Sequence, residues 1–520
     1  MSGAAAAEEM APFVRIMLTV CVMMATVMQA LDTTIANVAL PYMQGSLSTT
    51  QDQVNWVLTS YIVAAAIMTS PLGWMATRLG RKKLFIVCAA GFTLASMLCG
   101  AAQSIEQMVA FRLLQGIFGA ALVPLSQTVM LDIYPPAQRG SAMAIWGMGV
   151  MLGPIMGPTL GGWLTDAYSW RWVFFVNLPF GILTVLGLSV FMRESVLKRD
   201  IPFAWFGFLS LSLGIGALQM MLDRGEDQGW FGATEIVVEA ILSIVGFYFF
   251  LADSFTSKRP FIPLRIFLDW NFSIAVIFMF IIGIILLATM ALVTPYLQNL
   301  MGYPVLASGY LLGSRGIGTF VAMMIVGRLL GRIDARKLIF FGLTLATGSL
   351  WVMVYWSPDS SARAIAIDSV VQGLGLGFVF VPLNTIAFAT LPGEFRTDGT
   401  AIWTLIRNLG SSIGISLIIA KLTSLVTVFH SQLAEKISPF NDALRMPDVA
   451  GILSTATDAG RAALDGILTQ QAAVMAYSND FLIMTFISLC AFPLLFLIRG
   501  AKAPAGAPAP KSDDHAAVMD

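Results

Sequence analysis

The sequence predicts an all-α integral membrane protein of fourteen transmembrane helices, ordered six, two and six, with the two six-helix halves repeated in parallel. Three observations carry that prediction. Of 520 residues, 57% are hydrophobic and only 12% are charged, about half the roughly 25% charged share of a soluble domain; the mean hydropathy is +0.79. The apolar residues gather in fourteen stretches, each near the roughly 20 residues that a bilayer-spanning helix needs. A set of residues also recurs at a constant offset of 257 positions.

Read along the chain with a window of about 19 residues, the first six stretches fall near 16–38, 54–73, 84–101, 108–131, 141–163 and 172–192. A pair follows at 203–222 and 235–252. The remaining six lie at 272–297, 305–327, 338–356, 363–391, 400–425 and 481–498. The chain then divides into an amino-terminal segment (1–15), a first bundle (16–192), an inserted pair (203–252), a second bundle (272–498) that includes a long polar loop (426–479), and a tail (499–520) that reads as disordered. The first stretch carries Asp32 and has no small-residue cleavage site, so it reads as a span and not as a signal peptide.

Lysine and arginine orient the spans, because cytoplasmic loops carry their excess. With the amino terminus inside, twenty of the thirty basic residues fall on the inner side, among them Arg78, Arg81, Lys82 and Lys83, and six on the outer side. Both termini are therefore expected in the cytoplasm. Thirty acidic residues balance the thirty basic ones, which argues against a nucleic-acid partner, since phosphate binding needs a basic excess. The four cysteines lie in or at apolar stretches without CxxC spacing and the two histidines lie far apart, so neither a disulfide framework nor a metal site is signalled.

The repeat identifies the architecture. Gln115-Gly116, Arg139 and Ala144-Ile145-Trp146 return as Gln372-Gly373, Arg396 and Ala401-Ile402-Trp403. The segment GWMATRLGRKK at Gly73–Lys83 has a weaker echo in GRLLGRIDARK at Gly327–Lys337, after the second span of each half. Halves that run in the same direction are related by an axis along the membrane normal, the arrangement of major facilitator transporters, with substrate sites near the midplane between them. The central pair is then an insertion.

Ionisable residues inside the membrane cost about 2.5 to 3.5 kcal/mol and mark function by default. Asp32 lies in the first span and Arg112 in the fourth; with a rise of 1.5 Å per residue they lie at comparable depth and are expected to pair as a proton-coupling couple, or as a static ion pair. Arg315 and Asp368, in the tenth and twelfth spans, are a second candidate pair. Arg407 reads as a residue that snorkels to the interface. Gln29, Thr33, Gln115 and Gln372 are candidates for a substrate cavity.

The fifth span repeats glycine every fourth residue, at Gly149, Gly153, Gly157 and Gly161, with Pro154 and Pro158 after two of them. That spacing permits close helix approach, and each proline removes a backbone hydrogen bond; a tight, bent seam is expected. In the basic loop, Gly73 and Gly80 flank a tight turn, with Arg78 and Arg81 beside it.

These motifs resemble the fourteen-span drug:proton antiporter branch of the major facilitator superfamily, in its EmrB/QacA-like subfamily. The pieces that carry the resemblance are LDTTIANVALP at Leu31–Pro41, the loop motif at Gly73–Lys83, RLLQG at Arg112–Gly116, GVMLGPIMGPTLGG at Gly149–Gly162, WRWVFFVNLPFG at Trp170–Gly181 and MLDRGEDQGWF at Met221–Phe231. The resemblance implies a proton-coupled exporter of hydrophobic or amphipathic compounds in the bacterial inner membrane, working by alternating access. Asp32 would carry the proton, Arg112 would modulate it, the Gly149–Gly162 helix would limit leak, and Arg78 and Arg81 would act in gating. Protons would be the coupling ion, with no cofactor and no metal. It also implies a periplasmic membrane-fusion adaptor and an outer-membrane channel as partners, with 426–479 as a contact. One departure is Thr77, where the family's loop motif usually has an acid. The alternatives are an uncoupled or differently specialised exporter of a metabolite or fatty acid, a membrane enzyme, and a receptor; no nucleophile, acid-base pair or metal cluster in the sequence signals an enzyme.

Overall fold

The computed structural model describes residues 10–135, 138–194, 202–257, 260–330, 332–437, 446, 453 and 457–499, without the side chains of residues 51, 52, 154, 158, 305 and 306. The described residues are helical, and they include no strand beyond one isolated bridge between Leu330 and Ile333. The first half contains α1 (Pro12–Ser46), α2 (Gln51–Thr69), α3 (Leu72–Leu79), α4 (Arg81–Ala101), α5 (Ile105–Gly119), α6 (Leu122–Ile133), α7 (Arg139–Ala167), α8 (Trp172–Phe175) and α9 (Asn177–Phe191). The inserted pair is α10 (Trp205–Arg224) and α11 (Thr234–Thr256). The second half contains α12 (Trp270–Pro295), which runs into a π turn at Tyr296–Leu300, then α13 (Val305–Leu329), α14 (Ala335–Met353), α15 (Ala362–Ala389), α16 (Arg396–Ala434), α17 (Asp458–Leu489) and α18 (Phe492–Leu497).

All fourteen expected stretches are helical. Among the described residues twelve spans are long and apolar enough to cross a membrane, and α2 with α3, bent by 60°, makes a thirteenth. The fourteenth is α14, a 19-residue helix that starts with Arg336 and Lys337 near its first turn. Residues 1–9 and 500–520, and most of 438–456, lie outside the described residues, so the expected tail and much of the long loop do too.

Local sequence sets the breaks. Thr50 and Gln53 form a capping box at the start of α2, and Asp269 accepts from the Phe272 backbone at 2.9 Å to start α12; each satisfies donors that a helix N-terminus leaves free. Ser70-Pro71 separates α2 from α3, where proline has no N–H to continue the ladder. Gly80 has φ of 89° between α3 and α4, a left-handed conformation that glycine adopts without steric cost.

The repeat is a repeat of neighbours as well as of letters. In the first half α1 packs on α7, α5 on both α2 and α4, and α9 on α1 and α4. In the second, α12 packs on α16, α15 on both α13 and α14, and α17 on α12 and α14. The most interior spans are α15, 67% buried, the first part of α7, 65%, and α5 with α6, 61%, whereas α11 is 22% buried. Large apolar side chains such as Leu94, Val190, Ile244 and Phe255 are exposed on the outside of the bundle, as lipid contact requires.

The halves meet along α7 with α13 and α15, and along α16 with α2, α3 and α6. The inserted pair is not merely appended. Helix α10 lies against α2 of one half and α16 of the other, with Gln219 donating to Ser412 Oγ at 3.0 Å and Ser416 donating to the Leu222 carbonyl at 2.7 Å. Asp223 at its end accepts from Thr59 of α2.

Candidate functional site

The first half encloses a charge cluster. Helix α1 carries Asp32 and α5 carries Arg112, and both side chains have no solvent exposure. Arg112 Nη1 donates to Asp32 Oδ2 at 2.7 Å and to Gln115 Oε1 at 2.8 Å, while its Nε donates to the Val57 carbonyl of α2 at 3.0 Å. Gln115 Nε2 and Asn177 Nδ2 both donate to Asp32 Oδ1, at 2.8 and 3.2 Å. Asn177 also donates to Ser96 Oγ at 3.0 Å. The guanidinium stacks 4.4 Å from the centre of the Tyr61 ring, a cation–π contact strengthened by the absence of water.

The spacing of Arg112 and Gln115, three residues apart on one helix, puts both on the face that meets α1. Four helices thus hold one carboxylate: its own, α5, α9 and, through Arg112, α2. An isolated charge in such a place would be prohibitively costly, whereas a paired and fully hydrogen-bonded one is tolerated.

The glycine seam lies beside this cluster. A Cβ on Gly153 would collide with the Ala30 carbonyl, one on Gly157 with Thr34, one on Gly161 with Ile35 and one on Gly149 with Met23. All four therefore face α1, two turns or less from Asp32 at the nearest. Thr34 Oγ1 donates across the seam to the Gly153 carbonyl at 2.9 Å. Helix α7 is continuous through Pro154 and Pro158; the side chains of these two prolines lie outside the described residues.

At the end of the bundle that carries the basic loop, the halves are tied by polar contacts. Asp132 of α6 pairs with Arg81 and, across the halves, with Arg396 at 2.7 Å. Gln127 donates to Asn384 Oδ1 at 2.5 Å, and the Thr128 and Thr400 hydroxyls are 2.9 Å apart. Gly73 has no room for a Cβ because the Asp398 carboxylate of α16 sits there. Gly80 abuts Glu194, whose carboxylate accepts from the Lys82 and Lys83 backbone at 3.2 and 3.3 Å, an anion at a helix N-terminus. Arg78 lies over the Trp74 ring at 5.2 Å. Thr77 turns its hydroxyl back to the Gly73 carbonyl at 2.8 Å; the acids around this loop come from Asp132, Glu194 and Asp398 instead.

Two expectations are corrected. Arg315 and Asp368 do not pair. The Arg315 side chain reaches the Leu286 carbonyl of α12 at 3.3 Å, while Ser349 of α14 donates to the Asp368 backbone carbonyl at 3.2 Å and Asp368 Oδ2 has no hydrogen-bond partner. Their helices touch closely, backbone to backbone at Arg315 and Gly373. The four cavity candidates also separate. Gln115 belongs to the Asp32 cluster and Gln372 is buried with Nε2 unpaired, whereas Gln29 and Thr33 are partly exposed on α1. Gln29 donates to the Tyr61 hydroxyl at 3.3 Å and Thr33 to the Ala30 carbonyl at 2.8 Å. A pocket of roughly 440 Å³ lies elsewhere on the seam between halves, between α7 and α13, lined by Ile155, Trp163, Tyr310 and Ile317 among others.

Sequence reading missed Asn177, Ser96, Asp132 and Asp398. Asn177 stands inside WRWVFFVNLPFG and follows the short helix α8, which makes it the first residue of α9; an amide side chain in a span that otherwise holds only apolar and hydroxyl residues was the signal.

Two repeated bundles of apolar helices, meeting at a seam and enclosing a buried ion pair, define a multi-pass membrane protein of the transporter kind. A family profile described as Major Facilitator Superfamily matches residues 22–415. Multidrug export protein EmrB of Escherichia coli (strain K12) is 35% identical over 429 residues, covering 82% of this chain and 84% of that protein. Fatty acid resistance protein FarB of Neisseria gonorrhoeae is 32% identical over 485 residues, covering 92% and 94%. The chain belongs to the Major Facilitator Superfamily, in the group that contains EmrB and FarB. Among solved structures, the proton:xylose symporter XylE superposes with a TM-score of 0.57 at 12% identity, over 94% of this chain and 97% of that one. The human organic anion transporter MFSD10 does so with 0.56 at 13%, over 92% and 100%; both likenesses are of fold.

Proposed function

We propose that this chain is a proton-driven exporter of hydrophobic or amphipathic compounds, seated in the bacterial inner membrane with its basic end in the cytoplasm. The single observation that carries this reading is Asp32: a carboxylate without solvent exposure, held by Arg112, Gln115 and Asn177. A proton added there cancels the charge that Arg112 neutralises. The interaction between α1 and α5 then weakens, while Arg112 keeps its bonds to Val57 and Gln115.

Coupling follows because α1 is also the helix against which the glycines of α7 are packed. A change in how α1 is held is passed to α7, and α7 touches α13 and α15 of the other half. The ties of Asp132 to Arg396 and of Gln127 to Asn384 are the contacts that part when the cytoplasmic side opens. Arg78 and Arg81, around Gly73 and Gly80, move with them. The close-packed seam excludes water and so limits proton leak. Each inward-moving proton supplies about 2.3 kcal/mol per 100 mV of membrane potential, and no cofactor is invoked.

The relatives named for multidrug export and fatty acid resistance support amphipathic cargo. A partner is proposed for the long-loop hairpin. Helix α16 has 39 residues, about 58 Å at 1.5 Å per residue, against roughly 30 Å of hydrocarbon. Beyond the membrane it is joined to α17 by His430 and Asp465 at 2.9 Å. Such a projection offers a periplasmic membrane-fusion adaptor a rigid surface, in a line that leads to an outer-membrane channel.

The test is efflux from inverted membrane vesicles. Asp32→Asn is isosteric and is expected to abolish substrate-driven proton movement while the protein still folds and binds substrate. Coupled transport at the wild-type rate by Asp32→Asn would remove this reading.

A further inference from the structure

The second half holds a buried acid that the mechanism above does not use. Asp480 lies on α17 with no solvent exposure, and neither carboxyl oxygen has a hydrogen-bond partner. On the same helix, Tyr477 and Phe481 belong to a buried aromatic cluster with Tyr296 and Trp356, with Tyr296 5.2 Å from Tyr477 and 5.9 Å from Trp356, and Trp356 5.9 Å from Phe481. A buried carboxyl with neither oxygen hydrogen-bonded is the kind of group that holds a proton.

Two charged or titratable groups act on Asp480. From α16 it is Lys421, whose charge acts on Asp480 but which forms no ion pair with it among the described residues. On α17 itself it is Tyr477, whose ring packs on Tyr296 of the π turn after α12; the Tyr296 hydroxyl has no hydrogen-bond partner. Thus one cation lies in reach, and it stands apart.

We infer that Asp480 is a second proton-binding carboxyl, loaded in this structure and emptied when α16 and α17 shift so that Lys421 meets the carboxylate. The physical reason is that a buried ionised carboxylate without donors costs far more than a neutral one. Releasing its proton therefore requires a compensating cation, and the exposed Lys421 ammonium is the one at hand. The site occupies the last span of its half, as Asn177 does in the first half, where that position supplies a donor to Asp32 instead of an acid. The inference deepens the proton-coupled reading and rests on it only for the consequence to transport.

Purified protein in lipid vesicles tests it with two readouts. In infrared difference spectra at neutral pH, Asp480→Asn is expected to lose the C=O band of a protonated carboxylic acid, and Lys421→Met to keep that band to a higher pH than wild type. In the same vesicles Asp480→Asn is expected to move fewer protons per substrate, with substrate counterflow kept. A carboxylic band untouched by Asp480→Asn, or an unchanged proton-to-substrate ratio, overturns the inference. Asp480→Glu serves as the folding control and is expected to retain both signals. If wild type couples no protons, the proposed function falls, while the infrared arm still decides whether Asp480 holds a proton.

Discussion

The two halves share a backbone plan and differ in what they bury. At the offset of 257 residues, Asp32 corresponds to Thr289, Arg112 to Ser369 and Gln115 to Gln372. The first half spends its interior on a charge pair with every partner in place. The second has no charges at these positions, and its glutamine is left with Nε2 unpaired. Trp146 donates to Ser126 Oγ at 2.8 Å, while the indole of its counterpart Trp403 has no acceptor. The lesson is that the fold needs none of these polar contacts to form a six-helix half, so the polar set in the first half answers to something other than architecture.

The sharpest way to break this comparison is to remove one member of the pair. Arg112→Ala leaves Asp32 buried without its cation and is expected to cost about 3 to 5 kcal/mol, seen as a large drop in the thermal unfolding midpoint in detergent. Ser369→Ala, at the equivalent place, is expected to shift stability by less than about 1 kcal/mol. Equal losses at both sites would mean that position, and not charge, explains the burial.

A second contrast lies along the seam of α1 and α7. Gly153→Val drives a side chain into the Ala30 backbone and is expected to cost about 1 to 3 kcal/mol, or more where the backbone cannot give way, with loss of transport. Gly162→Ala meets only Val38, at 4.0 Å, and is expected to leave the midpoint and transport unchanged. Both are read by unfolding and by efflux.

The smallest expected effect is at the basic end, where the halves differ again: Asp132 takes both Arg81 and Arg396, while its counterpart is Ala389. These groups are partly exposed, so each tie contributes only about 0 to 1 kcal/mol. Asp132→Asn is expected to raise the population open at the basic end several-fold, measured as faster thiol labelling of a cysteine placed at Ser141, which otherwise donates to the Gly327 carbonyl at 2.9 Å. Unchanged labelling would mean that Gln127 with Asn384 and Thr128 with Thr400 hold the end shut without help.

Much of this was legible beforehand where the signal is carried by single residues in order. The Asp32 and Arg112 pair was legible because each charge is rare in an apolar span and the two depths match. Asn177 was not, since its role depends on α8 breaking just before it. Asp480 falls between the polar loop expected at 426–479 and the span expected from 481, because a helix that continues from Asp458 is indistinguishable in sequence from a polar loop followed by a span. Arg315 and Asp368 were named as a pair because each is a charge in an apolar span of the same half, which says nothing of the direction in which a side chain leaves its helix.

The sequence by itself determined the number of spans, their six-two-six order, the repeat and the glycine face of α7. These depend on hydrophobic length and on local spacing, which no neighbour can change. The tertiary structure alone decided which polar groups meet: Asn177 on Asp32, Asp132 between Arg81 and Arg396, and Asp480 buried without a hydrogen-bond partner. That depends on how each helix is rotated about its axis and how closely its neighbours pack, and rotation is set by the contacts of the whole bundle at once.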